Sequence, residues 1–199
     1  MSLGLHKEDL LALNPDMRAF ALVGAFMGFF ALMESGINEA LGEVLEAKGA
    51  KAAIITRNMT FNDKIKTLRT LVHYFITDEQ KAAEFDELAR RAKKFGEMRN
   101  IVAHTAFRGS SKSDGVEFFT MEASSKLRFP ETDWSIDEFL KHIDTINAID
   151  DGLRSIESRM SLQRVARALM EKPKGALGGL FGLGAQFTEE EGAGGLGLL

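Results

Sequence analysis

Residues 14–47 read NPDMRAFALVGAFMGFFALMESGINEALGEVLEA, and this stretch decides the fold class. Asn14 followed by Pro15 is an N-cap with proline in the first turn. Phe20, Val23, Met27, Phe30, Ile37, Leu41 and Leu45 then recur at helical spacing and predict one long helix to about Ala47. Gly24, Gly28 and Gly36 cost helix propensity and leave room for another helix to approach closely. Ala19–Met33 carries no charge and is bracketed by Arg18 and Glu34. A bilayer span needs roughly 20 apolar residues, so the run reads as the core helix of a soluble domain.

The rest of the chain continues the helical theme. Lys48–Asn58 reads as a connector. Thr60 to about Phe75 keeps the period through Phe61, Ile65, Leu68, Val72 and Phe75. Thr77-Asp78-Glu79-Gln80 has the form of a capping box and opens a third helix, which reaches about His104. Arg108–Asp114 is glycine- and serine-rich and reads as a loop. Val116–Met121 and Lys126–Phe129, joined by Ala123-Ser124-Ser125, predict a short hairpin lying against the helices. Ser135-Ile136-Asp137-Glu138 is a second capping box. Behind it Ile136, Phe139, Ile143, Ile146, Ile149, Leu153, Ile156 and Met160 share one face of a long helix ending near Pro173.

The expected fold is therefore all-α. It is an antiparallel helical bundle with a small β-hairpin between the third and fourth long helices and a flexible C-terminal tail. Residues 1–13 are expected to be a flexible start, 14–172 the helical domain, and 173–199 a disordered Gly/Leu-rich tail. Met1–Asp16 has no signal-peptide pattern, and a cytoplasmic protein without a membrane partner is expected.

Composition excludes several chemistries. With no cysteine among 199 residues, disulfides, thiolate metal sites and cysteine nucleophiles are ruled out. No His/Asp/Glu spacing suits a metal, no phosphate-cradling glycine loop precedes a helix, and no nucleophile elbow appears. Neither a metal nor a cofactor is expected. The net charge of −4 argues against broad coating of nucleic acid. Basic residues nevertheless cluster at Arg90, Arg91, Lys93, Lys94, Arg99, Arg108 and Lys112, with Glu97 the acidic residue among them. The cluster is either a solvated helix face or a phosphate-binding surface.

Arg99-Asn100-Ile101-Val102-Ala103-His104 lies in the middle of that stretch. Arginine grips phosphate oxygens in pairs, and histidine trades protons near neutral pH. On a helical wheel Arg99 falls within the stripe of Leu88, Ala92, Phe95 and Val102, and Glu34 within the stripe of the first helix. A lone buried charge needs a partner, so a Glu34–Arg99 pair is expected. It either fixes helix register or restrains the arginine fork for a phosphate. His104 lies about 140° around the helix from Arg99, while Asn100 shares its face. The two meet only if the helix ends or bends near Ala103 or if a second copy packs across a two-fold axis. His104 is otherwise a histidine favoured by the helix C-terminal dipole. His6, His73 and His142 carry no comparable pattern.

An Arg-polar-x-x-x-His motif on a late helix resembles the HEPN superfamily. Arg99, Asn100 and His104 match the motif, Glu34 matches an acidic residue on an earlier helix, and the similar region covers about Phe20 to Asp151. Many members are metal-independent ribonucleases of toxin–antitoxin and defence systems; others are non-catalytic dimerisation or RNA-binding modules. Some toxin members carry a modified tyrosine two residues after the histidine, where this chain has Ala106. The resemblance implies a homodimer cleaving RNA through 2′-hydroxyl attack to a cyclic phosphate, and an antitoxin or other protein partner. His104 would move a proton, Arg99 stabilise the phosphoryl oxygens and Asn100 orient the phosphate or His104. Glu34 would support them, and Arg90, Arg91, Lys93, Lys94, Arg108 and Lys112 would hold RNA.

Overall fold

The computed structural model describes residues 5–76, 78–120, 122–123, 127–128 and 131–170. Among the described residues, those up to Gln163 form one compact unit. The long helices are α2 (Pro15–Val44), α4 (Phe61–Phe75), α5 (Glu79–His104) and α6 (Ile136–Met170), with short helices α1 (Lys7–Leu11) and α3 (Ala50–Arg57). Strands β1 (Phe107–Gly109), β2 (Val116–Phe119) and β5 (Glu131–Trp134) make a small antiparallel sheet, and β3 (Glu122–Ala123) pairs with β4 (Leu127–Arg128). The molecule is mostly helical.

Local chemistry starts each long helix. The Asn14 side chain accepts the Met17 amide at 2.9 Å, with Pro15 opening α2. Thr60 caps α4 through the Asp63 amide at 3.2 Å. Asp78 caps α5 by accepting the Lys81 amide at 3.2 Å, while Thr77 lies outside the described residues. Ser135 and Glu138 form the reciprocal box, with the Glu138 carboxylate taking the Ser135 amide at 2.8 Å and the Ser135 hydroxyl taking the Glu138 amide at 3.3 Å.

The helix directions follow from side-chain pairs. Phe61 packs by Gly96 and Arg69 binds Asp86, so α4 runs against α5. Leu88 meets Gly152 and Phe95 meets His142, so α6 also runs against α5. Phe26 meets Phe139 and Glu39 binds Arg154, so α6 runs along α2. Phe26, Phe85, Phe118 and Phe139 are among the fully buried side chains of the core. Ile136, Phe139, Ile143, Ile146, Ile149 and Leu153 of α6 are buried as their spacing predicts, whereas the side chains of Ile156 and Met160 lie outside the described residues.

Several expectations need correction. Of the predicted stripe of α2, Phe30, Ile37 and Leu41 are buried, but Leu22, Phe26, Phe29, Met33, Ala40 and Val44 are buried as well, while Val23 and Met27 are only half-buried and Leu45 is exposed. Phe20 is 65% exposed and meets Phe107 edge-on at 5.1 Å between centroids. Both faces of the uncharged run are apolar, so periodicity alone could not set its phase. Part of the flexible start expected over residues 1–13 is helical: Leu10 of α1 is buried, and Lys7 binds Asp137 at 2.5 Å. The connector after Lys48 contains α3.

The hairpin is larger than predicted. Val116 pairs with Trp134 and Phe119 with Glu131, so the returning strand β5 begins beyond Phe129; β3 and β4 occupy only the tip. A third strand, β1, comes from the edge of the predicted loop and pairs Gly109 with Val116. Gly109 lies so close to α2 that a Cβ would come within 2.6 Å of Pro15, which explains glycine in a strand. The tail expected over 173–199 lies outside the described residues.

Candidate functional site

The middle of α2, the first turn of α4 and the C-terminal half of α5 enclose a cavity of about 510 Å³. Phe30 and Glu34 come from α2, Phe61 and Asn62 from α4, and Lys93, Glu97, Arg99 and Asn100 from α5. With Gly96, which also lines the cavity, the α5 positions are linked by steps of three and four residues and so share one flank. Gly96 permits the closeness of α4: a Cβ there would come within 2.7 Å of the Phe61 ring. Phe61 in turn lies 4.9 Å from Phe30, centroid to centroid, forming an aromatic wall.

Arg99 is half-buried in this wall, as the wheel predicts. Its guanidinium carbon lies 5.7 Å from the Phe30 ring centroid, a cation–π arrangement. Nη1 donates to Asn100 Oδ1 at 3.1 Å. Nε is buried and has no hydrogen-bond partner. The expected pair with Glu34 is not made. Although Glu34 lines the same cavity, its carboxylate accepts a 2.6 Å hydrogen bond from Lys64 Nζ, and that lysine side chain is only 6% exposed. Among the described residues no carboxylate answers the charge of Arg99. The Glu34 carboxylate is instead taken by a lysine from the facing helix α4. Lys64 is the partner of Glu34 that the sequence reading missed. Its signal was present, because position 64 falls between Phe61 and Leu68 on the apolar face of α4.

His104 is the last residue of α5 and is exposed, outside the cavity. The helix does not bend to bring it back, since Thr105 still donates to the Ile101 carbonyl at 3.0 Å. Five residues along a straight helix put His104 about 7.5 Å further and about 140° around from Arg99. Arg99 and Asn100 are therefore brought together, and His104 is not joined to them within one chain.

The basic cluster divides in the same way. Arg90 is held by Glu87 at 2.7 Å, and Arg108 by Glu117 at 2.8 Å while lying over the Phe119 ring. Lys112 reaches Glu117 at 4.0 Å. Arg91 is half-buried and Lys94 exposed, both outside the cavity. Of the six expected RNA-binding residues, Lys93 alone lines it.

The remaining histidines have other roles. His73 shares Asp86 with Arg69, whose hydrogen bond holds that carboxyl below its ordinary range. His142 lies between Phe95 and Trp134, 5.7 and 5.2 Å from their centroids, and burial pushes its pKa down.

The arrangement can hold an anion flanked by a flat apolar group. A planar cation, a second cation and two side-chain amides border an aromatic wall. No protein-family model, curated protein or solved structure matches the chain.

Proposed function

We propose that the chain is a metal-independent endoribonuclease of the HEPN type, working as a homodimer in the cytoplasm in a toxin or defence role, with an antitoxin-like protein as partner. One observation carries the reading. Arg99 borders a cavity beside Asn100 with its charge unanswered by any carboxylate among the described residues, while the nearby Glu34 is occupied by Lys64. A half-buried cation without a protein counter-ion is a ready receptor for a phosphate.

In the proposed reaction the RNA 2′-oxygen attacks the adjacent phosphorus and the bond to the 5′-oxygen breaks. The products are a 2′,3′-cyclic phosphate and a 5′-hydroxyl. Arg99 stabilises the charge on the phosphoryl oxygens. One His104 takes the 2′-hydroxyl proton, and the His104 of a second copy gives a proton to the leaving oxygen. A homodimer is attractive because α2 presents an exposed apolar face. Met17, Phe20 and Leu32 are 57%, 65% and 56% exposed, and the Gly24 and Gly28 positions are open within 4 Å.

A second reading is favoured by the exposure of His104 beyond the cavity: a non-catalytic module that binds RNA or dimerises through the same helix. The test is incubation of mixed RNA with the protein in EDTA, beside Arg99→Ala and His104→Ala variants of native mass and fold. The nuclease reading expects cleavage by the wild type alone. RNA binding by all three proteins without cleavage supports the module instead.

A further inference from the structure

We propose that the Arg99 cavity selects a single unpaired nucleotide of the RNA, with Phe61 as its specificity-determining residue and Lys93 as a phosphate-binding one. The inference rests on the RNA-directed reading above and adds which RNA is taken and by what.

Size gives the first argument. A volume of about 510 Å³ lies within the usual range for small-ligand sites and suits one nucleotide rather than a duplex. A base enters such a site only when it is splayed from its neighbours, as in single-stranded loops and ends.

Charge gives the second. Arg99 offers a guanidinium that no carboxylate among the described residues answers, and the exposed Lys93 stands on the same rim. Glu34 is answered by Lys64, leaving Glu97 as the opposing carboxylate in the lining. The 15-residue helix α4 adds to these cations. Thr60, Phe61 and Asn62 at its start line the cavity; Thr60 Oγ1 takes the Asp63 amide at 3.2 Å and donates to the Asp63 carboxylate at 2.6 Å. First-turn amides have no acceptor within their own helix and favour anions. The buried Arg99 Nε has no hydrogen-bond partner, so the protein leaves part of the guanidinium unsatisfied.

The wall supplies the base contact. Phe61 is half-buried, held between Gly96 and Phe30, and it lines the cavity. A fixed ring of this kind stacks on any base, so the site recognises an unpaired nucleotide without a strong sequence preference. The phosphate sits on Arg99, Lys93 and the α4 amides, and the base lies against Phe61.

Calorimetry with adenosine monophosphate, inorganic phosphate, and single-stranded and duplex RNA oligonucleotides tests the proposal without relying on cleavage. The expected result is tighter binding of the nucleotide than of phosphate, and of the single strand than of the duplex. Phe61→Leu should weaken nucleotide binding about tenfold while sparing phosphate. Lys93→Ala, at an exposed position that leaves the fold intact, should weaken both by up to about tenfold. Equal binding of nucleotide and phosphate, preference for duplex, or no effect of Lys93→Ala would each overturn the inference. RNA cleavage without nucleotide binding sinks this subsite and leaves the nuclease standing. Nucleotide binding without cleavage does the reverse.

Discussion

Lys64 and Arg99 are both cations set into apolar helix faces, yet their surroundings differ. Lys64 is buried and held by Glu34 at 2.6 Å. Arg99, lining the cavity that Glu34 also borders, has an aromatic ring beneath it and a neighbouring amide for company. A charge removed from water needs compensation. Where the protein supplies it, the charge belongs to the architecture; where it does not, the charge is available to a ligand. The contrast separates a lysine that joins α2 to α4 from an arginine that serves the cavity.

The contrast breaks most directly in paired stability measurements. Lys64→Met strands the Glu34 carboxylate and should cost about 3 kcal/mol in urea unfolding. Arg99→Gln removes a cation without an ionic partner among the described residues and should cost under about 1 kcal/mol. Equal costs would make Arg99 a structural residue. Gly96→Ala sharpens the picture of the cavity wall. The new methyl meets Phe61, so a loss of about 2 kcal/mol is expected, together with a shifted Phe61 resonance in NMR spectra. A silent substitution would mean that α4 and α5 do not approach closely here.

Acid offers a gentler probe at the opposite flank of α5. Burial lowers the pKa of His142; nearby Lys94 and Lys141 add to this, and Glu138 opposes it. The unfolded chain therefore binds more protons below the ordinary histidine pKa of about 6.5. Stability is full above that value and declines as pH falls through the lower folded value. The melting temperature should drop between about pH 7 and pH 5, and His142→Phe should flatten that part of the profile. An unchanged profile would assign the acid sensitivity to other groups.

Much of this framework was legible in the sequence. Asn14, Thr60, Ser135 and Glu138 announce helix starts through chemistry confined to a few residues, and all four form caps. The apolar period of α6 was equally plain, because polar residues separate its isoleucines. The phase of α2 was not, because Ala19–Met33 is apolar all round and only packing chooses its inner face. The partner of Glu34 was missed because Lys64 sits on a different helix, α4, whose approach to α2 the sequence did not show. Strand β1 was hidden for a related reason. Three residues around Arg108 show no alternation of their own and become a strand only beside β2. At the site, Arg99 and Asn100 were readable from helix geometry. Lys93 was readable as charge but not as a rim residue, since its placement depends on how α4 meets α5.

The most direct single measurement follows RNA ends in EDTA for the wild type and Arg99→Gln, matched for melting temperature. The account predicts 2′,3′-cyclic-phosphate ends from the wild type and a loss of about a hundredfold or more in rate for the variant. Equal cleavage by the two proteins, or none by a folded wild type, would contradict it.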